Sequence, residues 1–129
     1  MSCILVIDDS PTVRSTLQFC LQTSGFEVLT AGDGRTGLAK LAEGNPRVDL
    51  VLVDFNMPIM DGIAVCRAIR ADPSTEKLPI ILMTGFATKE TLARASAAGF
   101  QEVVTKPFVI GKLLADLKRH LAAEDCRCA

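Results

Sequence analysis

Five short apolar runs of strand length alternate along the chain with five segments of helical periodicity. That alternation limits the fold more than any other property of the sequence. The runs lie at residues 3–7, 26–30, 50–53, 80–83 and 102–105. Most are continuously apolar, the mark of parallel strands covered on both faces. Between the first two, Val13, Leu17, Cys20 and Leu21 form an i, i+4, i+7, i+8 stripe. Ser10 is placed to cap that helix, Pro11 takes its first position, and Gly25 stops it. Leu38, Leu41 and Ala42 mark a second helix, halted by Gly44, Asn45 and Pro46. Residues 64–71 carry Val65, Cys66 and Ile69 and end at Asp72 and Pro73, while the Ala-rich segment 88–98 closes on Gly99. Ile110, Leu113, Leu114, Leu117 and Leu121 make the last and most amphipathic stripe. The pattern is (βα)5 and predicts an α/β domain: an open, doubly wound parallel sheet with helices on both faces and right-handed crossovers. Five strands are too few to close an eight-stranded barrel.

Length and charge narrow the function. The 129 residues suffice for one domain, set at residues 1–123 with a short tail at 124–129. With 49% hydrophobic and 22% charged residues the chain is not disordered. Fourteen basic residues against fifteen acidic ones give a net charge of −1, so no direct nucleic-acid partner is expected. The apolar runs are strand-sized and interrupted by Asp, so no membrane insertion is expected either. The N-terminus, MSCILVIDDS, lacks a basic leader and a long apolar core, and the expected location is cytoplasmic. Five cysteines, an odd number without repeated spacing, fit that compartment. Cys3, Cys20 and Cys66 read as small core hydrophobes. Cys126 and Cys128 have no His beside them, and a C-x-C pair alone cannot supply four zinc ligands. His120 falls near the end of the last helical stripe, where an imidazole is favoured by the helix dipole and needs no chemical role.

In such a sheet, ligands bind outside the carboxyl ends of the strands, where strand order reverses. The first strand ends in Asp8 and Asp9, the third in Asp54 followed by Asn56, the fourth in Thr84, and the fifth in Lys106 followed by Pro107. In the order 2-1-3-4-5, strands 1, 3, 4 and 5 would be contiguous and these groups would meet at one edge. Any one of them could be a helix cap. Three carboxylates, a hydroxyl and an ammonium supplied jointly by four strand ends are a different matter. Crowded carboxylates repel unless a cation neutralises them, and oxygen ligands without His or Cys select a hard ion such as Mg²⁺. One carboxylate could then attack a phosphorus whose oxygens are held by the cation, Lys106 and Thr84.

VIDDS, the stretch VDFNMPIMDG, Thr84-Gly85 and Lys106-Pro107-Phe108 resemble the receiver domain of two-component response regulators, in the style of the stand-alone chemotaxis regulators. The resemblance runs from the first strand to the last helix. It implies a flavodoxin-like fold with strand order 2-1-3-4-5, and a signalling domain rather than an enzyme. It also implies that Asp54 is the phosphoacceptor, receiving its phosphoryl group from a histidine kinase or a histidine phosphotransfer protein. Asp9, Asp54 and the backbone carbonyl of Asn56 would hold Mg²⁺ directly and Asp8 through water. Thr84 and Lys106 would contact the phosphoryl oxygens. Met57-Pro58 and Asp61-Gly62 match the family's turn into the third helix, where Asp61 also suits an N-cap. One position departs from the pattern: three residues before the Lys, receivers usually carry a Tyr, Phe or His that swings inward on activation, and here that residue is Val103. Phe100 is out of register for the role. An output partner is implied, but no particular one.

Two alternatives belong beside this reading. Residues 32–37, GDGRTG, fit G-x-G-x-x-G after a strand and at the start of a helix, as in a dinucleotide-binding domain. That reading leaves Asp8, Asp9, Thr84 and Lys106 unexplained. A metal-dependent phosphohydrolase would also use Mg²⁺ and an aspartyl nucleophile. However, the D-x-D-x-[TV] motif is missing, since Phe55, Asn56 and Met57 follow Asp54.

Overall fold

The structure, a computed structural model, describes residues 2–85 and 88–128, with side chains through residue 121. Strands β1 (Cys3–Ile7), β2 (Glu27–Ala31), β3 (Leu50–Asp54), β4 (Ile80–Thr84) and β5 (Glu102–Thr105) alternate with helices α1 (Pro11–Thr23), α2 (Gly34–Glu43), α3 (Gly62–Ala71), α4 (Lys89–Ala98) and α5 (Ile110–Cys128). The strands pair in parallel in the order β2-β1-β3-β4-β5. This is the flavodoxin-like (βα)5 architecture expected from the sequence.

Period two in the central strands divides the core between two faces. Leu5, Ile7, Val51, Val53, Ile80 and Leu82 face the cluster shared with Ile63, Cys66 and Ile69 of α3 and Ala95 of α4, and Leu38 and Leu41 of α2 pack on the same side. Ile4, Val6, Leu50, Leu52, Ile81 and Met83 face Leu17 and Leu21 of α1 and Leu113, Leu117 and Leu121 of α5. Every residue of β1, β3 and β4 is buried, which is why those runs carry no polar alternation. The edge strands β2 and β5 are only partly covered. Each fully buried Leu or Ile contributes roughly 1.5–3 kcal/mol, so a charge at Leu52, wholly buried between both layers, would break the sheet.

Several boundaries differ from the sequence reading, each for a local reason. Strand β2 starts at Glu27 rather than at residue 26. The Phe26 amide is spent on the Leu21 carbonyl at the turn that ends α1, where Gly25 has φ +96°. Pairing therefore begins at Cys3↔Glu27. Asp54 and Thr84 are themselves the last residues of β3 and β4. Helix α3 begins at Gly62, ahead of its apolar stripe, because the Asp61 carboxylate accepts the Ala64 amide at 2.9 Å. Ser10, Asp33 and Thr88 cap α1, α2 and α4 in the same way. Helix α5 runs on through the segment 124–128 that the sequence sets apart as a tail. The side chains of Cys126 and Cys128 lie outside the described residues.

Candidate functional site

The carboxyl edge of the sheet gathers most of the polar groups that the sequence places at strand ends. Asp8 follows β1 and is wholly buried. Its amide donates to the Ala31 carbonyl at 3.1 Å, which fixes the end of β1 against β2. Its Oδ1 accepts the Ser10 amide at 2.9 Å, and its Oδ2 accepts Lys106 Nζ at 2.9 Å. Asp54 closes β3 with 6% exposure, and its Oδ1 accepts the same Lys106 Nζ at 3.0 Å. Asp9 is exposed, yet carboxylate oxygens of Asp8, Asp9 and Asp54 all lie within 4.8 Å of one another. Chain folding thus brings together residues 98 and 52 positions apart.

Strand register sets the other side. Thr84, buried at the end of β4, faces Thr105 of β5, and its carbonyl accepts the Lys106 amide at 2.8 Å. The Phe55 amide donates to the Met83 carbonyl at 2.8 Å, so the chain leaves β3 in a fixed direction. Asn56 is exposed in the loop beyond, two residues from Asp54. That loop returns against the strand it left. A Cβ on Gly62 would stand 2.6 Å from the Asp54 carbonyl oxygen and 3.1 Å from Phe55 Cα, so only glycine permits the approach.

Burial, reinforced by the charges of Asp8 and Asp9, raises the Asp54 carboxyl above the ordinary carboxylate range, with Lys106 pulling the other way. Burial works against the charged ammonium of Lys106, yet its hydrogen bonds to Asp8 and Asp54 carry its pKa upward. Three carboxylates and one ammonium leave two negative charges in one small volume. All the donors are oxygens. Such a set fits a hard divalent cation of the Mg²⁺ kind, which would offset both the burial and the carboxylate repulsion that raise Asp54.

The model of the response regulator receiver domain family matches residues 4–118. This chain is a response regulator receiver domain. A probable chemotaxis protein CheY of Rhizobium etli is 39% identical over 121 residues, 93% of this chain and 92% of that protein. The structure of Vibrio cholerae CheY4 superposes with a TM-score of 0.88 at 35% identity, covering 92% of this chain and 98% of that one. A sensor histidine kinase CheAY of Helicobacter pylori matches at 36% identity over 94% of this chain, which corresponds to 15% of the kinase. The receiver is a signalling domain of two-component systems and belongs to no classical enzyme family. Domains of this kind work with histidine kinases or phosphotransfer proteins.

Neither alternative survives. The receiver's GDGRTG segment opens α2, but the Asp33 carboxylate caps that helix by accepting the Thr36 amide at 2.7 Å. Its glycines make room for packing. A Cβ at Gly34 would lie 2.7 Å from Val65 and 2.8 Å from Met60 Sδ, and one at Gly37 would overlap Ile7. Family membership also removes the phosphohydrolase. Among the described residues, no helix is long and apolar enough to cross a membrane. His120 pairs with Glu102 at 2.8 Å, away from the acidic cluster.

Two contributors to the site were not legible in the sequence. Arg14 of α1 donates to the Asp8 carbonyl at 2.7 Å. Arg94 of α4 lies over the Phe55 ring, 5.4 Å from its centroid, and 3.9 Å from the Asp61 carboxylate. Both are ordinary surface-pattern arginines in their helices. No spacing rule distinguishes them: Arg14 reaches back six residues to the end of β1, and Arg94 reaches the distant loop that follows β3.

Proposed function

We propose that this receiver accepts a phosphoryl group on Asp54 from the phosphohistidine of a histidine kinase or histidine phosphotransfer protein, with Mg²⁺ as cofactor, and that the modification switches binding of an output partner. The observation that carries the reading is the Asp54 carboxylate at the end of β3, 3.0 Å from the Lys106 ammonium within the acidic trio. An Asp54 oxygen attacks phosphorus; the new O–P bond forms as the P–N bond breaks, and its electron pair leaves on the donor's imidazole. Asp9, Asp54 and the Asn56 carbonyl would hold the cation directly, with Asp8 acting through water. When bound, Mg²⁺ supplies charge neutralisation at the phosphoryl oxygens and allows the ionised Asp54 to approach them. Lys106 turns from its two carboxylates to a phosphoryl oxygen, and the Thr84 hydroxyl takes another. The free thiols of Cys3, Cys20 and Cys66 suit a reducing compartment and support a cytoplasmic location.

Phosphotransfer from candidate kinases, resolved on a phosphate-affinity gel, tests the reading. Wild type should shift and Asp54→Asn should not. Persistent labelling of the variant at another residue would overturn the assignment.

A further inference from the structure

The acidic trio has two members fixed by their surroundings and one that is not. Asp54 ends a wholly buried strand. The amide and both carboxylate oxygens of Asp8 are engaged by Ala31, Ser10 and Lys106. Asp9 is exposed, and the direction of its side chain depends on the orientation of the peptide that joins it to Asp8. Arg14 grips that peptide: its Nη1 donates to the Asp8 carbonyl oxygen at 2.7 Å.

The arginine has a seat on the far side. At Gly32, a Cβ would stand 3.2 Å from Arg14 Nη1 and 3.6 Å from Cζ, tighter than side chains normally pack. Gly32 is not among the glycines with positive φ, which are Gly25, Gly44 and Gly99. Its backbone therefore does not require glycine, and any side chain there would make the guanidinium give way by a few tenths of an ångström. The first glycine of GDGRTG thereby acquires a purpose.

We infer that Arg14 is a positioning residue for the cation site: seated on Gly32, it holds the Asp8–Asp9 peptide so that Asp9 can complete the oxygen set with Asp8 and Asp54. The inference rests on the reading that these three carboxylates hold Mg²⁺. Its sign separates it from a simple charge effect. Arg14 is a positive charge beside an acidic cluster, so Coulomb repulsion between it and a divalent cation would by itself make its removal tighten binding. Loss of positioning weakens binding, and removing partners that orient ligands typically costs about 10–100-fold in metal affinity.

The test is Mg²⁺ titration by isothermal calorimetry on the full chain, with thermal melts in chelator for each variant. Arg14→Met keeps the apolar stem and should bind Mg²⁺ about 10-fold more weakly or worse. Arg14→Lys keeps the charge and one donor, and should recover part of that loss. Gly32→Val keeps the arginine but displaces its guanidinium, and should also weaken binding. Unchanged or tighter binding by folded Arg14→Met would overturn the inference; should that variant not fold, unchanged binding by Gly32→Val would do so. Wild type and Asp9→Ala distinguish this from failure of the underlying reading. If wild type binds no Mg²⁺, or Asp9→Ala binds as well as wild type, the cation site itself is misplaced.

Discussion

Replacing Lys106 with Met keeps the side-chain stem and removes the one ammonium shared by Asp8 and Asp54. In the native protein that ammonium lies 2.9 Å and 3.0 Å from their oxygens, with the side chains of Asp8 and Asp54 0% and 9% exposed and that of the lysine 25% exposed. Breaking a buried ion pair typically costs about 3–5 kcal/mol, because it strands a desolvated charge. Here the lysine is partly solvated and Asp8 keeps its bond from the Ser10 amide, so the lower end, about 3 kcal/mol, is expected. With a urea m-value of roughly 2 kcal/mol per molar, that is a fall of about 1.5 M in midpoint. The chain has no Trp and no Tyr, so far-UV circular dichroism is the suitable probe. The loss should be full in chelator at neutral pH and largely recovered in saturating Mg²⁺, which takes over the neutralising role. The pH dependence has a definite sign. The Lys106 pKa is raised in the folded state, so its stabilisation is full below the ordinary lysine pKa and fades as pH rises through the folded value. Wild type and variant should therefore converge at high pH. They should converge again on acidification, as Asp54, whose pKa is also raised, takes up its proton. Equal urea midpoints in chelator would refute the reasoning, as would a deficit that Mg²⁺ leaves untouched. Phosphorylation should persist in the variant, slowly, but without the amide shifts that wild type shows on activation.

Asp54→Asn should be more stable than wild type in Mg²⁺-free buffer at neutral pH. The raised Asp54 pKa means that its contribution is favourable below the ordinary carboxylate range and lost as pH rises through the folded value; thermal melts across acid pH should show the gap closing. Ile59 has φ +71° and is 97% exposed, so Ile59→Asn should gain about 0.5–1 kcal/mol by relieving a left-handed β-branched residue, and a loss in urea titration would contradict this. Arg70 donates to the Gly99 carbonyl at 2.8 Å, the Leu78 carbonyl at 2.7 Å and Gln101 Oε1 at 2.9 Å, tying α3 to the segment that enters β4 and to the one that joins α4 to β5. Arg70→Met should cost about 2–3 kcal/mol in chemical denaturation while leaving phosphorylation rates alone. Val103, short and β-branched, should keep its rotamer when a beryllofluoride phosphoryl mimic is added, while α4 and the loop from Thr84 to Lys89 shift. Phe86 and Ala87 of that loop lie outside the described residues. Paired structures with and without the mimic would decide it, and a large Val103 rotation over a static loop would count against the idea.

Local chemistry was readable from the sequence alone. The continuous apolar character of residues 3–7, 50–53 and 80–83 identifies strands buried on both faces, because a half-exposed strand needs alternation and a fully buried one does not. Ser10-Pro11, Gly25, Gly44, Asp72-Pro73 and Gly99 mark helix ends, since capping and left-handed turns are decided within a few residues. Asp8, Asp9, Asp54, Thr84 and Lys106 could be singled out because strand ends are local features and the sheet places them all on one edge. What lies at range was decided by the tertiary structure. Strand order determines that Lys106 meets Asp8 and Asp54, across 98 and 52 residues, and no periodicity encodes which strands become neighbours. Packing determines that Gly62 must approach the Asp54 carbonyl and that Gly32 seats Arg14, because a glycine's neighbours come from elements distant in sequence. Even the first residue of β2 depended on a competing bond, the Phe26 amide turning back to Leu21 at the end of α1 rather than entering the sheet.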